Sequence, residues 1–307
     1  MISKAFSPGH ITAIFSIKDT ESDNILEQGS IGTGFSIVEG VSTEVDTLFS
    51  DKKSIKIFIN EKLVDAPVTK FVVDYFLNLI DEKFLITLKH WIKLPIGAGF
   101  GCSAAGALSA SLALNEKLNL NLSKTKCGQI AHIAEVKNRT GLGDVISSFF
   151  GGFEIRIKPG APGIGKIKQI PIKQDICVIC ATGGILETKK VLSDSSLRKK
   201  IIEAGNEYLQ EIINNEAITI SKIIHLAKKF SFKTSLMTPE IKKVLKSLEK
   251  AGYGDSSMIM LGKSIFCLTE EKNSIKVNNI LKKYLPSWSI FNTKIDNQGA
   301  RLIIEGD

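Results

Sequence analysis

Alternation of apolar and polar positions dominates the first third of the chain. His10-Ile11-Thr12-Ala13-Ile14-Phe15-Ser16-Ile17 and Ile55-Lys56-Ile57-Phe58-Ile59 carry the period of two expected of half-buried strands, and Asn60-Glu61 supplies a turn after the second. The spacing predicts a helix over Val68 to Ile80 and a strand over Phe84 to Ile92. After a glycine-rich segment, Ala104 to Leu118 and Ser123 to Asn138 predict two helices, the first so rich in Ala and Leu that several of its faces are expected to be buried. Alternation returns at Phe153 to Lys158 and Lys166 to Ile172, around a turn rich in Pro and Gly.

The apolar run Ile176 to Ala181 predicts a buried strand that opens a second domain, followed by helices over Glu187 to Ala204 and Asn206 to Lys229. Thr238-Pro239-Glu240 is a helix start, with Thr as N-cap, Pro in the first turn and an acid facing the helix dipole. Ile241, Val244, Leu245 and Leu248 then recur at i, i+3, i+4 and i+7, and Gly252 supplies the stop. Ile265 to Leu268, a helix near Ile275 to Tyr284, and strands over Ser289 to Ile295 and Ala300 to Ile304 complete an α+β chain, divided into domains 1–170 and 171–307.

Composition narrows the class. With 307 residues, 43% hydrophobic and 23% charged, the chain is an ordinary globular one, which excludes disorder and a disulfide-stapled mini-protein. No apolar run approaches the ~18 residues of a membrane span, and Met1-Ile2-Ser3-Lys4 leads into Pro8-Gly9-His10 rather than a signal-peptide core. The expectation is a cytoplasmic protein without a membrane partner. Cys102, Cys127, Cys177, Cys180 and Cys267 are scattered and odd in number, so reduced thiols are expected. Cys177 and Cys180 match CxxC inside a strand pattern, which gives a structural pair rather than a redox or zinc site. The net charge of +8 arises from lysine pairs spread over amphipathic segments, such as Lys228-Lys229 and Lys242-Lys243. Solvated helix faces account for them, so no nucleic-acid partner is expected, while the sign favours anionic substrates.

The chemistry concentrates between the strand ending at Ile92 and the next helix. Pro95-Ile96-Gly97-Ala98-Gly99-Phe100-Gly101-Cys102-Ser103-Ala104 places three glycines at alternate positions before a helix start, so backbone N–H groups and the positive end of the helix can approach an anion together. A hydroxyl at the helix start, Ser103, can reach a Mg²⁺ ion bridging phosphates. Gly99 to Ala104 also fits GxGxxA, which keeps a nicotinamide-dependent oxidoreductase open, although Asn119-Leu120-Asn121-Leu122 stands where an acid-ended strand should follow. Gly160 to Lys166 imitates a Walker A loop but continues as a strand and lacks the Ser or Thr that would face Mg²⁺.

The pattern Pro-x-Gly-x-Gly-x-Gly-x-Ser-Ala-Ala at Pro95 to Ala105 resembles the second motif of the GHMP kinases. Within that superfamily Phe6 to Thr12, Thr140 to Val145, Gly151 to Arg156 and Lys158 to Gly165 look most like the archaeal pantoate kinase family, strongly from residue 1 to about 190 and then mainly over Ser256 to Phe266. The resemblance implies a two-domain α+β GHMP kinase fold with the nucleotide and substrate cleft between domains. It implies ATP-dependent phosphorylation of pantoate on the way to coenzyme A, with Mg²⁺, in a homodimer. Another small alcohol such as mevalonate or shikimate is the alternative within kinases, and a silent binding or regulatory protein is the alternative outside them.

By the same resemblance the loop from Pro95 through Gly97, Ala98, Gly99, Phe100, Gly101, Cys102 and Ser103 to Ala104 binds nucleotide, and Ser103 and Glu135 hold the metal. Asp144, nine residues after Glu135, follows the turn Gly141-Leu142-Gly143, which can expose a carboxylate at the mouth of a cleft; the resemblance makes it the base or orienting group for the hydroxyl, a helix cap being the alternative, and without the resemblance Glu135 reads as a solvated acid. Arg156 suits the pantoate carboxylate, the other reading being an exposed strand face. His132, three residues before Glu135 on one helix, reaches substrate or sits satisfied in the core. His10 joins the substrate contacts, standing where many relatives carry another basic residue. The third glycine-rich motif is reduced to Ser256 to Lys263, whose methionines read as packing.

Overall fold

The computed structural model describes residues 2–18, 23–173, 175–185 and 195–304. Its strands are β1 (Ser3–Lys18), β2 (Gly29–Phe49), β3 (Ser54–Ile59), β4 (Lys62–Leu63), β5 (Phe84–Ile92), β6 (Phe153–Lys158), β7 (Lys166–Ile170), β8 (Ile176–Thr182), β9 (Ser256–Ile259), β10 (Ser264–Glu270), β11 (Ser289–Thr293) and β12 (Arg301–Leu302). The helices are α1 (Pro67–Leu77), α2 (Cys102–Lys117), α3 (Lys124–Asn138), α4 (Asp144–Phe150), α5 (Ser195–Ile213), α6 (Ile220–Lys233), α7 (Pro239–Lys250) and α8 (Ser274–Tyr284). None of them is long and apolar enough to cross a membrane.

One sheet runs β12-β1-β2-β5-β3-β4, with β6 also on β2 and β7 on β6, and the second runs β11-β8-β10-β9. The chain changes sheets between Ile170 and Ile176, and β12 returns to pair with β1 at Ala5 and Phe6. Two cores follow. The first buries Val72, Phe76, Leu88, Leu108 and Ile130 between the first sheet and α1 to α3. The second joins Ile14, Phe15 and Phe35 of the first sheet to Phe266 of the second and to Ile201 and Phe230 of α5 and α6.

The β1/β2 ladder, from Ser3 opposite Val45 to Lys18 opposite Gly29, is the spine of the molecule. The irregularities between Pro8 and Gly9 and between Thr12 and Ile14 bend it, as an unpaired residue does. β2 was not among the expected elements, and it contains Gly32, Gly34 and Gly40, residues common in loops. The structure gives another reason for them: a Cβ at Gly32 would lie 2.2 Å from Arg156 Nη2, one at Gly34 2.7 Å from His10 Nε2, and one at Gly40 2.0 Å from the Ser7 carbonyl.

Where local signals are strong the elements fall as expected. Thr238 caps α7 by accepting from Ile241 N–H at 3.3 Å, and Ile241, Val244, Leu245 and Leu248 are its buried face. The pair of helices expected on either side of Gly205 differs: α5 runs straight through it to Ile213, and the break comes before Thr219, which caps α6. A Cβ at Gly205 would lie 2.4 Å from the Phe15 carbonyl, so this glycine serves close helix-to-strand packing rather than a stop. Residues 187–194 of the expected first helix lie outside the described residues. All five cysteines are free and buried, with Cys177 and Cys180 on β8.

His90 shows how the first core treats a titratable group. Its Nδ1 pairs with Thr43 Oγ1 at 2.8 Å and its Nε2 with Thr69 Oγ1 at 2.9 Å, and burial lowers its pKa from 6.5 to about 4. The unfolded chain therefore binds this proton first, so stability present above pH 6.5 is lost as the pH falls towards about 4. Denaturant unfolding across that range should show a shallower acid-side loss in His90→Gln than in the wild type. Equal slopes would contradict a neutral buried His90.

Candidate active site

The loop leaving β5 is shaped by its glycines. Gly97, Gly99 and Gly101 have φ of +79°, +92° and +63°, the left-handed region in which a Cβ is unfavourable. Gly101 is the N-cap of α2 and supplies no side-chain hydrogen bond, so the first amides of the helix are left for an anionic ligand. Other parts of the chain clamp the loop. His10 N–H donates to the Phe100 carbonyl at 3.0 Å, Ser264 Oγ donates to the Ala98 carbonyl at 2.8 Å, and Met260 N–H donates to the Thr12 carbonyl at 3.0 Å.

The reduced third motif thus has a defined place: β9 leads into the turn Met260 to Lys263, which backs the loop. A Cβ at Gly262 would lie 1.9 Å from the Ala98 carbonyl, and one at Gly99 2.8 Å from the Met260 carbonyl. Gly262→Ala must push the turn and loop apart, and an increase of about tenfold or more in the KM for ATP is expected. Unchanged nucleotide kinetics in this variant would mean that the turn does not set the loop's position.

A cavity of about 390 Å³ opens at this helix start. Ile96, Gly97 and Gly99 to Ala104 line one side, Glu135 and Arg139 to Asp144 the other, with Thr12, Ser30, Arg156, Met260 and Leu261 between them. Pro95 and Ala98, expected to touch nucleotide, are not among the lining residues. Ala98 is buried beneath the turn, where its carbonyl is already used by Ser264. Met258 is core as expected, whereas Met260, though only 2% exposed, reaches the cavity wall.

Ser103 and Glu135 meet across the cavity. Ser103 Oγ donates to Glu135 Oε1 at 2.5 Å, and Thr140 Oγ1 donates to the same oxygen at 2.8 Å. Burial pushes the Glu135 carboxyl from 4.5 up to about 7, against the pull of those two hydroxyls and with a small addition from the charge of Asp144. Gly141 completes the seat, since a Cβ there would lie 2.4 Å from Glu135 Oε2.

Asp144 is the first residue of α4, not its cap, which is Gly143. Its Oδ1 accepts from His10 Nδ1 at 2.8 Å and from Thr12 Oγ1 at 3.3 Å, while its side chain stays 28% exposed and lines the cavity. Behind it lies a buried charge network. His10 Nε2 reaches Glu154 Oε1 at 3.2 Å, and the same oxygen accepts from Arg156 Nη1 at 2.6 Å and Ser147 Oγ at 3.1 Å. Burial alone would lower the His10 pKa, but the charge of Glu154, aided by hydrogen bonds to Asp144 and Glu154, raises it. Burial likewise opposes ionisation of Asp144, yet the hydrogen bond and charge of His10 hold its carboxyl below the usual range. His10 is thus held between the side chains of Asp144 and Glu154, and both contacts favour its protonated form.

Two histidine positions correct the sequence expectation. His10 is fully buried behind Asp144 and is not a lining residue, so it acts on the cavity only through that carboxylate. His132 does not reach the cavity either: it is 3% exposed, and its Nε2–H donates to the Ile25 carbonyl at 3.2 Å, ahead of β2. Arg156 lines the cavity but is 1% exposed, with Nη1 taken by Glu154 and Ser147 and Nε unpaired among the described residues. The sequence reading overlooked Thr12, Ser30, Arg139, Thr140 and Ser147. Thr12 and Thr140 stood in the blocks Phe6 to Thr12 and Thr140 to Val145, and Glu154 lies two residues before Arg156 on β6, hence on the same face of the strand.

A helix N-terminus bared by alternate glycines, faced by a serine hydroxyl and two carboxylates of opposite titration behaviour, defines a phosphotransferase acting on a small molecule. Residues 68–152 match the family described as GHMP kinases N terminal domain. The pantoate kinase of Thermococcus kodakarensis is 35% identical over 290 residues, 92% of each chain, and that of Methanocaldococcus jannaschii is 34% identical over 278 residues, 90% of this chain and 96% of the other. A solved structure described as a phosphotransferase related to the CoA biosynthesis pathway superimposes with a TM-score of 0.89 at 30% identity, over the whole of both chains. Mevalonate kinases match over about half of the chain. The chain belongs to the pantoate kinases, a family of GHMP kinases, and has their α+β fold.

Proposed function

We infer that this chain transfers the γ-phosphoryl group of ATP to the 4-hydroxyl of pantoate, giving ADP and 4-phosphopantoate, a step toward coenzyme A. The observation that carries the reading is the extent of the similarity: 92% of the chain matches one pantoate kinase, against 47% for the mevalonate kinase of Thermococcus gammatolerans. Gly97, the segment from Gly99 to Ala104 and the first amides of α2 receive the phosphates of ATP. Arg156 offers the donors not spent on Glu154 to the pantoate carboxylate. Asp144, fixed through Oδ1, presents Oδ2 to the hydroxyl. A carboxylate held at low pKa is a poor proton sink and a good acceptor, so its contribution is alignment of the nucleophile, which the loose transition state of phosphoryl transfer rewards.

Mg²⁺ is part of the same proposal. The ion prefers hard oxygen ligands, typically one or two carboxylates completed by phosphate and water. Ser103 Oγ and Glu135 provide hard oxygens side by side, and burial, which pushes the Glu135 carboxyl up to about 7, leaves a group whose charged form a cation would favour. Among the described residues no cluster of three or more His, Cys, Asp or Glu could hold a metal alone, which suits an ion shared with phosphates. When bound, Mg²⁺ neutralises charge on the phosphates and stabilises the transferred group. The resemblance extends the proposal to a cytoplasmic homodimer, whose mass sedimentation would measure.

The test is ADP release by the purified chain with Mg-ATP and each of pantoate, mevalonate, homoserine and shikimate. Turnover on pantoate alone is the expected result. Preference for mevalonate would keep the phosphate site and replace the substrate.

A further inference from the structure

The cavity would bring a polyphosphate against two carboxylates, and among the described residues little fixed positive charge lines it. Two of its lining residues are cationic, Arg139 and Arg156. Arg156 is buried, with Nη1 committed to Glu154 and Ser147, so much of its charge is already balanced. Pro95 to Ala104 contains no basic residue, and among the described residues no lysine lines the cavity. Arg139 is different. It is exposed, it lines the cavity, and among the described residues its guanidinium has no hydrogen bond or ion pair.

Its backbone is an independent observation. Arg139 ends α3 at φ 55° and ψ 41°, a left-handed position suited to Gly or Asn. A long cationic side chain kept at such a position points to a use beyond ending the helix. Its neighbours indicate which end of the cavity it serves. It stands four residues after Glu135 and next to Thr140, whose hydroxyl holds Glu135, and Gly141 packs on the same carboxylate. The other end is formed where Gly143 packs on Arg156.

We propose that Arg139 binds the phosphate chain of ATP, its left-handed backbone turning the guanidinium into the Ser103–Glu135 end of the cavity. A planar guanidinium with several free donors matches adjacent phosphate oxygens. This rests on the ATP half of the function inferred above.

The experiment is titration of a non-hydrolysable ATP analogue with Mg²⁺ into the wild type, Arg139→Gln, Arg139→Gly and Lys137→Gln, with steady-state kinetics and Tm for each. Both Arg139 variants should weaken analogue binding by about fivefold or more and lower kcat/KM for ATP to match, with the pantoate KM within about twofold. Lys137→Gln removes the same charge at an exposed position outside the cavity and should leave analogue affinity unchanged. Arg139→Gly should keep or raise Tm, because glycine accepts the backbone, so that weaker binding cannot be ascribed to a damaged helix end. Unchanged analogue affinity in Arg139→Gln overturns the proposal, as does an effect confined to the pantoate KM or an equal loss in Lys137→Gln. Pantoate is absent from the binding arm, so a wild type that binds the analogue without phosphorylating pantoate contradicts the reaction while leaving Arg139 tested. Failure of the wild type to bind the analogue overturns both.

Discussion

Asp144→Asn is expected to lower kcat by about a thousandfold while the KM values for ATP and pantoate change by less than about threefold. The substitution keeps the size of the side chain and removes the charge that His10 and Thr12 hold in place. Asparagine Oδ1 can still accept from His10 Nδ1, so the fold around α4 should persist. What is lost is the anionic oxygen proposed to align the hydroxyl, and with it the counter-charge on one side of His10. Steady-state kinetics with both substrates varied separates the outcomes. A loss in kcat alone fits a group acting on the reacting hydroxyl, whereas a rise confined to the pantoate KM would make Asp144 a binding residue. A kcat near that of the wild type would remove it from the site.

Glu154→Ala should have the largest effect on stability. Glu154 is fully buried, and its Oε1 is the shared acceptor of Arg156, Ser147 and His10. Removing it leaves the buried guanidinium without its counter-ion, a change that typically costs about 3–5 kcal/mol. At about 2 °C per kcal/mol for a chain of this size, Tm should fall by roughly 6–10 °C. Replacing Arg156 as well, as in Glu154→Ala/Arg156→Met, should recover part of that loss because the unpaired charge is gone. Thermal unfolding of the three proteins is the check. A Glu154→Ala chain as stable as the wild type, or a double variant less stable than the single, would contradict the network as drawn.

The parts of the fold legible in the sequence are those written in neighbouring residues. Thr238, Pro239 and the buried face from Ile241 to Leu248 define α7 within twelve positions, and the alternate glycines before Ser103 mark a candidate phosphate loop between strand and helix. What escaped is written across long separations. Gly32 and Gly34 are required by Arg156 and His10, residues that local pattern cannot connect to them, and Gly205 is required by the Phe15 carbonyl. Gly205 accordingly stood at an expected break, whereas all three glycines allow their elements to pack. The site divides in the same way. Ser103, Glu135 and Asp144 could be proposed from motif blocks, but the role of His10 depends on Glu154, 144 positions away. His132 shows the limit of helical spacing: three residues place it about 60° round α3 from Glu135, and there it meets the Ile25 carbonyl instead of the cavity.

The reaction itself is tested most directly by proton-coupled phosphorus NMR of the product formed from Mg-ATP and pantoate. Transfer to the 4-hydroxyl places the new phosphorus beside a methylene group, so its signal should be a triplet appearing in step with ADP. A doublet, which would place the ester on the C2 carbinol, or ADP accompanied only by inorganic phosphate, would contradict the assignment.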